Sequence, residues 1–240
     1  MDPLRTPLTW LLSPVLVAQA LATRRRVPVL PEALGPREGR FGDGESPWRI
    51  LIAGDSSAAG VGVDHQDQAF AGQFIRALYR RRPLPLSWSL RARSGLTTQQ
   101  LHDWLRAEPA PTADVAVVLS GVNDLIDRVP VRRALSHRAA LAHWLLDTAG
   151  ARAVVFAPLP PVDQFPALPW PLRQVMGAQA RRHDQALREW AGVQRHVYYA
   201  PVDIKLTRQD MAADGFHPGR PVYAHVGESL AGFVADNVRL

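Results

Sequence analysis

The sequence predicts an α/β fold, a mostly parallel sheet covered on both faces by helices, and three observations carry that expectation. Short apolar runs recur at Trp48–Ala53, Leu86–Ala92, Val115–Leu119, Ala153–Ala157 and Val197–Ala200. Longer stretches with helical spacing of apolar residues separate them. The 240 residues are 47% hydrophobic, enough for one sizeable core and short for two. Strand-length runs alternating with helix-length segments are the signature of βα units, whose sheet is buried on both sides. We therefore expect one three-layer α/β/α sandwich over residues 46–240, with residues 1–45 as an N-terminal appendage.

In chain order, the appendage begins with an uncharged run, Pro7–Ala22, followed by Thr23 and Arg24-Arg25-Arg26. At 16 residues the run is shorter than the ~20 needed to cross a bilayer, and Pro14 interrupts it. Ala18-Gln19-Ala20 and Ala20-Leu21-Ala22 fit a small-x-small cleavage site, but the charge order opposes export. Asp2 accompanies Arg5 ahead of the run, and the strong positive block follows it. The expectation is a helix packed on the domain or lying at a membrane surface through residues 7–26. A cytoplasmic or membrane-associated protein is favoured over one with a cleaved signal. Residues 27–47 hold four prolines and four glycines with little periodicity and read as an extended connector.

Beyond the connector, helices are expected near Ala69–Arg80, Thr97–Arg106, Val131–Thr148, Pro171–Ala191 and Pro221–Val238, each following one of the strands. After the fourth strand comes PLPPVDQFPALPWP, Pro158–Pro171, with six prolines, Phe165 and Trp170. It reads equally as a stiff connecting loop or as an apolar lip over a site, because it leaves the sheet at the carboxyl ends of the strands.

Charge raises a competing function. Lys+Arg is 28 against Asp+Glu 22, a net +6, and Lys205 is the single lysine. A basic excess can mark a nucleic-acid partner. Beyond Arg24-Arg25-Arg26 there is one further cluster, Arg80-Arg81-Arg82; the pairs Arg132-Arg133 and Arg181-Arg182 fall in helical stretches, and no RNP strand, zinc-finger spacing or basic heptad accompanies them. Nucleic-acid binding is therefore disfavoured. The absence of cysteine excludes a thiolate nucleophile, a thiolate metal site and a disulfide framework.

In parallel sheets, sites form where strands end and loops lead into helices. The first strand runs into Gly54-Asp55-Ser56-Ser57, the second into Arg93-Ser94-Gly95, and the third into Ser120-Gly121-Val122-Asn123-Asp124. Asp214-Gly215-Phe216-His217 precedes the last helix. A serine hydroxyl becomes a useful nucleophile when a histidine takes its proton, and the imidazole needs an acceptor that holds one tautomer. Ser56, His217 and Asp214 are candidates for these roles. The tetrahedral oxyanion needs preorganised donors, for which the N–H groups of Ser56 and Gly95 and the Asn123 amide are available.

These residues resemble the blocks of the SGNH (GDSL) hydrolase superfamily. The first block matches at Gly54-Asp55-Ser56, the second only as Gly95 after a strand. The third matches as Gly121-x-Asn123-Asp124 and the last as Asp214-x-x-His217. The resemblance covers about Trp48 to the C-terminus. It implies a flavodoxin-like five-stranded parallel sheet, Ser56 as nucleophile, His217 as base and Asp214 as its orienter. It also implies an oxyanion hole of Ser56 N–H, Gly95 N–H and Asn123, an acyl-enzyme intermediate, and no metal or organic cofactor. The substrate implied is a small-molecule or lipid ester.

Other readings of these residues are plainer. Asp55 serves equally as an N-cap, Asn123 and Asp124 as caps of the following turn, and Asp214 as a cap of the last helix. Ser57 is a possible nucleophile, but the G-D-S register favours Ser56. The remaining histidines, His65, His102, His137, His143, His183, His196 and His225, lack metal-site spacing and read as surface or packing residues. Gly60-x-Gly62 lacks the third glycine of a dinucleotide loop, since position 65 is His. Gly227-Glu228-Ser229-Leu230-Ala231 is one residue short of G-x-S-x-G and lies within an expected helix. The function expected is carboxylic ester hydrolysis, with a lysophospholipase or carbohydrate O-acetylesterase as alternatives on the same site. A non-catalytic basic module binding membrane or nucleic acid is the alternative from another class.

Overall fold

The computed structural model describes residues 7–45, 47–109 and 112–239, with side chains from residue 14 onward. Asp2 and Arg5, which enter the export argument, lie outside them. The chain begins with helix α1 (Pro7–Arg26), which runs through Pro14 rather than stopping there. A proline forgoes one backbone bond, and its ring is accommodated at a local cost.

Within the connector a short strand, β1 (Glu38–Phe41), pairs antiparallel with β3 (Leu86–Ala92). The five expected strands follow as β2 (Trp48–Gly54), β3, β4 (Val115–Leu119), β5 (Ala153–Phe156) and β6 (Val197–Tyr199). All five are parallel, and the whole sheet runs β1-β3-β2-β4-β5-β6. Leaving out β1, this is the flavodoxin-like strand order. The sheet is thus six-stranded: the sequence pattern shows its parallel part and not its antiparallel edge.

The strands are apolar along their length because side chains alternate between two buried faces. Ile50 and Ile52 of β2 and Val115 and Val117 of β4 point to one side, packed under α3 (Phe70–Arg81) and α8 (Arg220–Asn237). Leu51 and Ala53, with Ala116 and Val118, point to the other, under α4 (Thr98–Ala107), α6 (Val131–Asp147) and α7 (Leu172–Ala191). Two short helices, α2 (Ser56–Ala59) and α5 (Val122–Ile126), follow β2 and β4. Helix α1 lies on the α7 side, where Leu16 and Ala20 pack against the core. The Gln19 amide donates to Trp170 O at 2.7 Å and accepts from Leu172 N–H at 3.2 Å.

The register prepares the site. Gly54 is opposite Ala92 on β3 and Leu119 on β4, so three strands end in one row. Their outgoing loops start side by side, about 5 Å apart. Only glycine fits at position 54, because a Cβ there would lie 2.2 Å from Leu119 O.

Candidate active site

Ser56 opens α2 directly beyond β2. Asp55 caps this turn: its Oδ1 accepts from the Ser57 N–H at 3.0 Å and the Ser57 hydroxyl at 2.7 Å. Burial pushes the Asp55 carboxyl up, against the pull of those two bonds. Ser57 is thereby engaged with the cap, whereas the Ser56 hydroxyl faces His217, Oγ to Nε2 3.1 Å.

His217 stands in the loop before α8, and its Nδ1 lies 2.6 Å from Asp214 Oδ2. Since an ionised carboxylate only accepts, Nδ1 carries the proton and Nε2 turns a lone pair to Ser56. The second Asp214 oxygen accepts from the Phe216 and His217 N–H groups, both at 2.9 Å. Asp214 therefore closes its own turn; the cap of α8 is Gly219. Burial alone would raise the Asp214 carboxyl. The His217 side chain and the two backbone donors outweigh it and hold it below the ordinary value.

Gly95 lies in an exposed turn after β3 with φ +82°, a conformation that favours glycine, and nothing is within 4 Å of where a Cβ would sit. Asn123 Nδ2 donates one proton to Leu96 O at 3.0 Å, which ties α5 to the Gly95 turn and leaves its second proton for another acceptor. The structure thus brings Ser56, His217 and Asp214 into one hydrogen-bonded line and joins Asn123 to the Gly95 turn.

Asp124 does something the sequence did not suggest. Its carboxylate binds the first residue of α4 rather than its own turn: its oxygens accept from Thr98 N–H at 2.9 Å and Thr98 Oγ1 at 2.7 Å. Arg138, 1% exposed, reaches the same carboxylate at 3.4 Å. Asp124 therefore locks the third loop to the second. Its partner residues are 26 and 14 positions away, and no local pattern advertises them. Burial, and then the nearby Arg138, push the His183 imidazole down to about 4, so it is neutral near pH 7 and serves as packing. Among the described residues, no cluster of His, Cys, Asp or Glu is arranged to hold a metal ion.

Beside Ser56 and His217 opens a cavity of about 100 Å³. Its inner wall is apolar, with Phe70, Ile204, Leu206, Met211, Val222 and Val226. Pro158, Pro160 and Phe165 of the proline-rich segment form another side, while Trp170 at its far end is 70% exposed. The 201–211 stretch, which supplies Ile204, Leu206 and Met211, carries no periodic signal in the sequence that would mark it as a wall of the cavity.

The fold, with its mostly parallel sheet between helices and its loops at the strand ends, is that of the SGNH hydrolases. The family model for the GDSL-like lipase/acylhydrolase family matches residues 52–225, and the chain belongs to that family. It is a hydrolase acting on ester bonds. Solved structures share the fold. The lipase Lip_vut3 from a goat rumen metagenome is 18% identical with a TM-score of 0.63, over 80% of this chain and 99% of that one. A family 3 carbohydrate esterase of Clostridium thermocellum is 18% identical with a TM-score of 0.60, over 80% and 96%. A carbohydrate esterase family 2 enzyme of Corynascus thermopiles, with its carbohydrate binding domain, is 15% identical with a TM-score of 0.64, over 81% and 68%. No curated protein matches the chain in sequence.

Proposed function

We propose that the protein hydrolyses carboxylic esters through a Ser56 acyl-enzyme. The observation that carries this reading is the line Ser56 Oγ–His217 Nε2, 3.1 Å, and His217 Nδ1–Asp214 Oδ2, 2.6 Å. Ser56 Oγ attacks the ester carbonyl as His217 Nε2 takes its proton, and Asp214 stabilises the imidazolium. The oxyanion accepts from the Ser56 and Gly95 N–H groups and the free amide proton of Asn123. Collapse expels the alcohol, which leaves with the proton from His217. Water then attacks the acyl-enzyme, giving its proton to His217, and the acid departs as Ser56 regains its hydrogen.

The apolar cavity favours an acyl chain longer than acetyl. Each methylene transferred from water is worth about 0.8 kcal/mol. Hydrolysis of p-nitrophenyl butyrate is expected to exceed that of the acetate about tenfold in kcat/KM, and Val226→Trp should erase the difference by filling the cavity. A faster acetate reaction in the wild type would instead favour a carbohydrate O-acetylesterase.

A second reading, of a lipid ester met at a membrane, rests on α1. Val15, Val17 and Leu21 are 46%, 40% and 54% exposed, and Arg24–Arg26 follow on the surface. No helix among the described residues is long and apolar enough to cross a membrane. An apolar helix face ending in basic residues suits an anionic lipid surface, where each arginine contributes about 1 kcal/mol. Vesicles of anionic phospholipid should carry the wild type in flotation, vesicles of neutral phosphatidylcholine should carry less, and Arg24→Glu with Arg25→Glu and Arg26→Glu should abolish the difference. Equal flotation of both proteins removes this reading.

A further inference from the structure

The connector reaches the turn that carries Gly95. Glu32 Oε1 accepts from the Ser94 backbone N–H at 2.7 Å and from the Ser94 hydroxyl at 2.8 Å. Its other oxygen accepts from the Arg37 guanidinium, which also donates to Ala92 O at 2.8 Å. Burial works against the Glu32 charge, but the Ser94 donors and Arg37 outweigh it and lower its pKa. On the nucleophile side, Ala33 N–H donates to Ala59 O at 3.3 Å. Gln66 Nε2 ties the two together, donating to Ala33 O at 3.1 Å and to Ala59 O at 3.0 Å. One strap, residues 32–37, thus runs from the end of α2 to the turn after β3. It lies wholly ahead of the family-matched residues 52–225.

We propose that Glu32, held by Arg37, is a positioning residue that braces the Ser94–Gly95 turn so that the Gly95 N–H is preorganised for the oxyanion. The proposal rests on the ester-hydrolysis reading above. Gly95 is exposed and free of side-chain packing, and glycine has the widest choice of backbone conformations. Something else must hold its peptide. Asn123 grips the following residue through Leu96 O, and Glu32 grips the preceding one with charge-assisted bonds. An oxyanion donor accelerates the reaction only when it is fixed before the charge develops. Losing the brace should therefore lower kcat and spare KM.

The test compares wild type, Glu32→Ala, Glu32→Gln, Ser94→Ala and the Glu32→Ala/Ser94→Ala double variant on p-nitrophenyl butyrate, with Ser56→Ala as the blank. Deuterium uptake is followed in parallel over peptides covering residues 91–97. Glu32→Ala should lose about tenfold to a hundredfold in kcat, with KM within about twofold and faster uptake confined to that peptide. Glutamine keeps an acceptor for Ser94 and should recover most of the loss. The double variant should be no slower than Glu32→Ala alone, because both act through one contact. A wild-type kcat in Glu32→Ala, or uptake raised throughout the protein with no recovery by glutamine, overturns the proposal. Should the wild type be no faster than Ser56→Ala, the hydrolytic reading itself fails and the proposal falls with it.

Discussion

Ser56→Ala is expected to reduce kcat on p-nitrophenyl butyrate by about 10⁶-fold, to the level left by oxyanion donors and binding alone. The change is clean in structural terms. The Ser56 hydroxyl is hydrogen-bonded to His217 Nε2, whereas the cap that holds α2 runs from Asp55 to Ser57. The folded state should therefore survive with its thermal midpoint little altered. A fluorophosphonate probe should label the wild type and leave Ser56→Ala unlabelled. Equal turnover in the two proteins would remove Ser56 as the nucleophile.

The second large effect separates the proposed base, His217, from its proposed orienter, Asp214. His217→Ala should cost about as much as the loss of Ser56, whereas Asp214→Asn should cost about 10⁴-fold. The reason lies in how Asp214 is held. One of its oxygens already accepts the Phe216 and His217 N–H groups, so the carbonyl of asparagine must take that place. The amide NH₂ then points at His217 Nδ1 and donates to it, which moves the ring proton to Nε2 and takes the lone pair away from Ser56. Imidazole nitrogen chemical shifts should report the exchanged tautomer alongside the kinetics. His143→Ala, on an exposed face of α6, serves as the control, and a comparable loss there would count against the assignment.

Acid stability gives the same pair a separate readout. The Asp214 carboxyl in the folded protein lies below its unfolded value of about 3.9. The unfolded state thus binds the proton first as the pH falls. The contact with His217 stabilises the fold above that pH, and its contribution is lost as the pH drops through the lowered value. Asp214→Asn has no such proton to take up. Its denaturation midpoint should fall less steeply than that of the wild type below about pH 4.

Much of the architecture was legible because burial on two faces writes itself into sequence as unbroken apolar runs. Val115–Leu119 and Trp48–Gly54 are examples, found within a residue of their observed ends. Helix boundaries came close as well: α4, expected over Thr97–Arg106, runs Thr98–Ala107, with Thr97 and Gln100 forming a capping box at its start. β1 escaped because Glu-Gly-Arg-Phe buries little; its strand geometry comes from backbone pairing to β3. The residues proposed for chemistry were legible as short blocks after strands, where chemistry constrains residue type. Their supports were not. Glu32 and Ser94 are 62 positions apart, Thr98 and Asp124 26 apart, and neither contact has a periodic trace.

The small edge strand β1 also bears on how the protein behaves in concentrated solution. Without it, the seven-residue β3 would present an open row of backbone donors and acceptors, the usual template on which unrelated chains add strands and aggregate. The chain closes that row with four residues that carry Glu38 and Arg40, and the opposite margin, β6, is three residues long. Both margins of the sheet are thus short, and the β1 margin carries charge. The connector that reaches the Ser94 turn through Glu32 thus also covers the edge of the sheet.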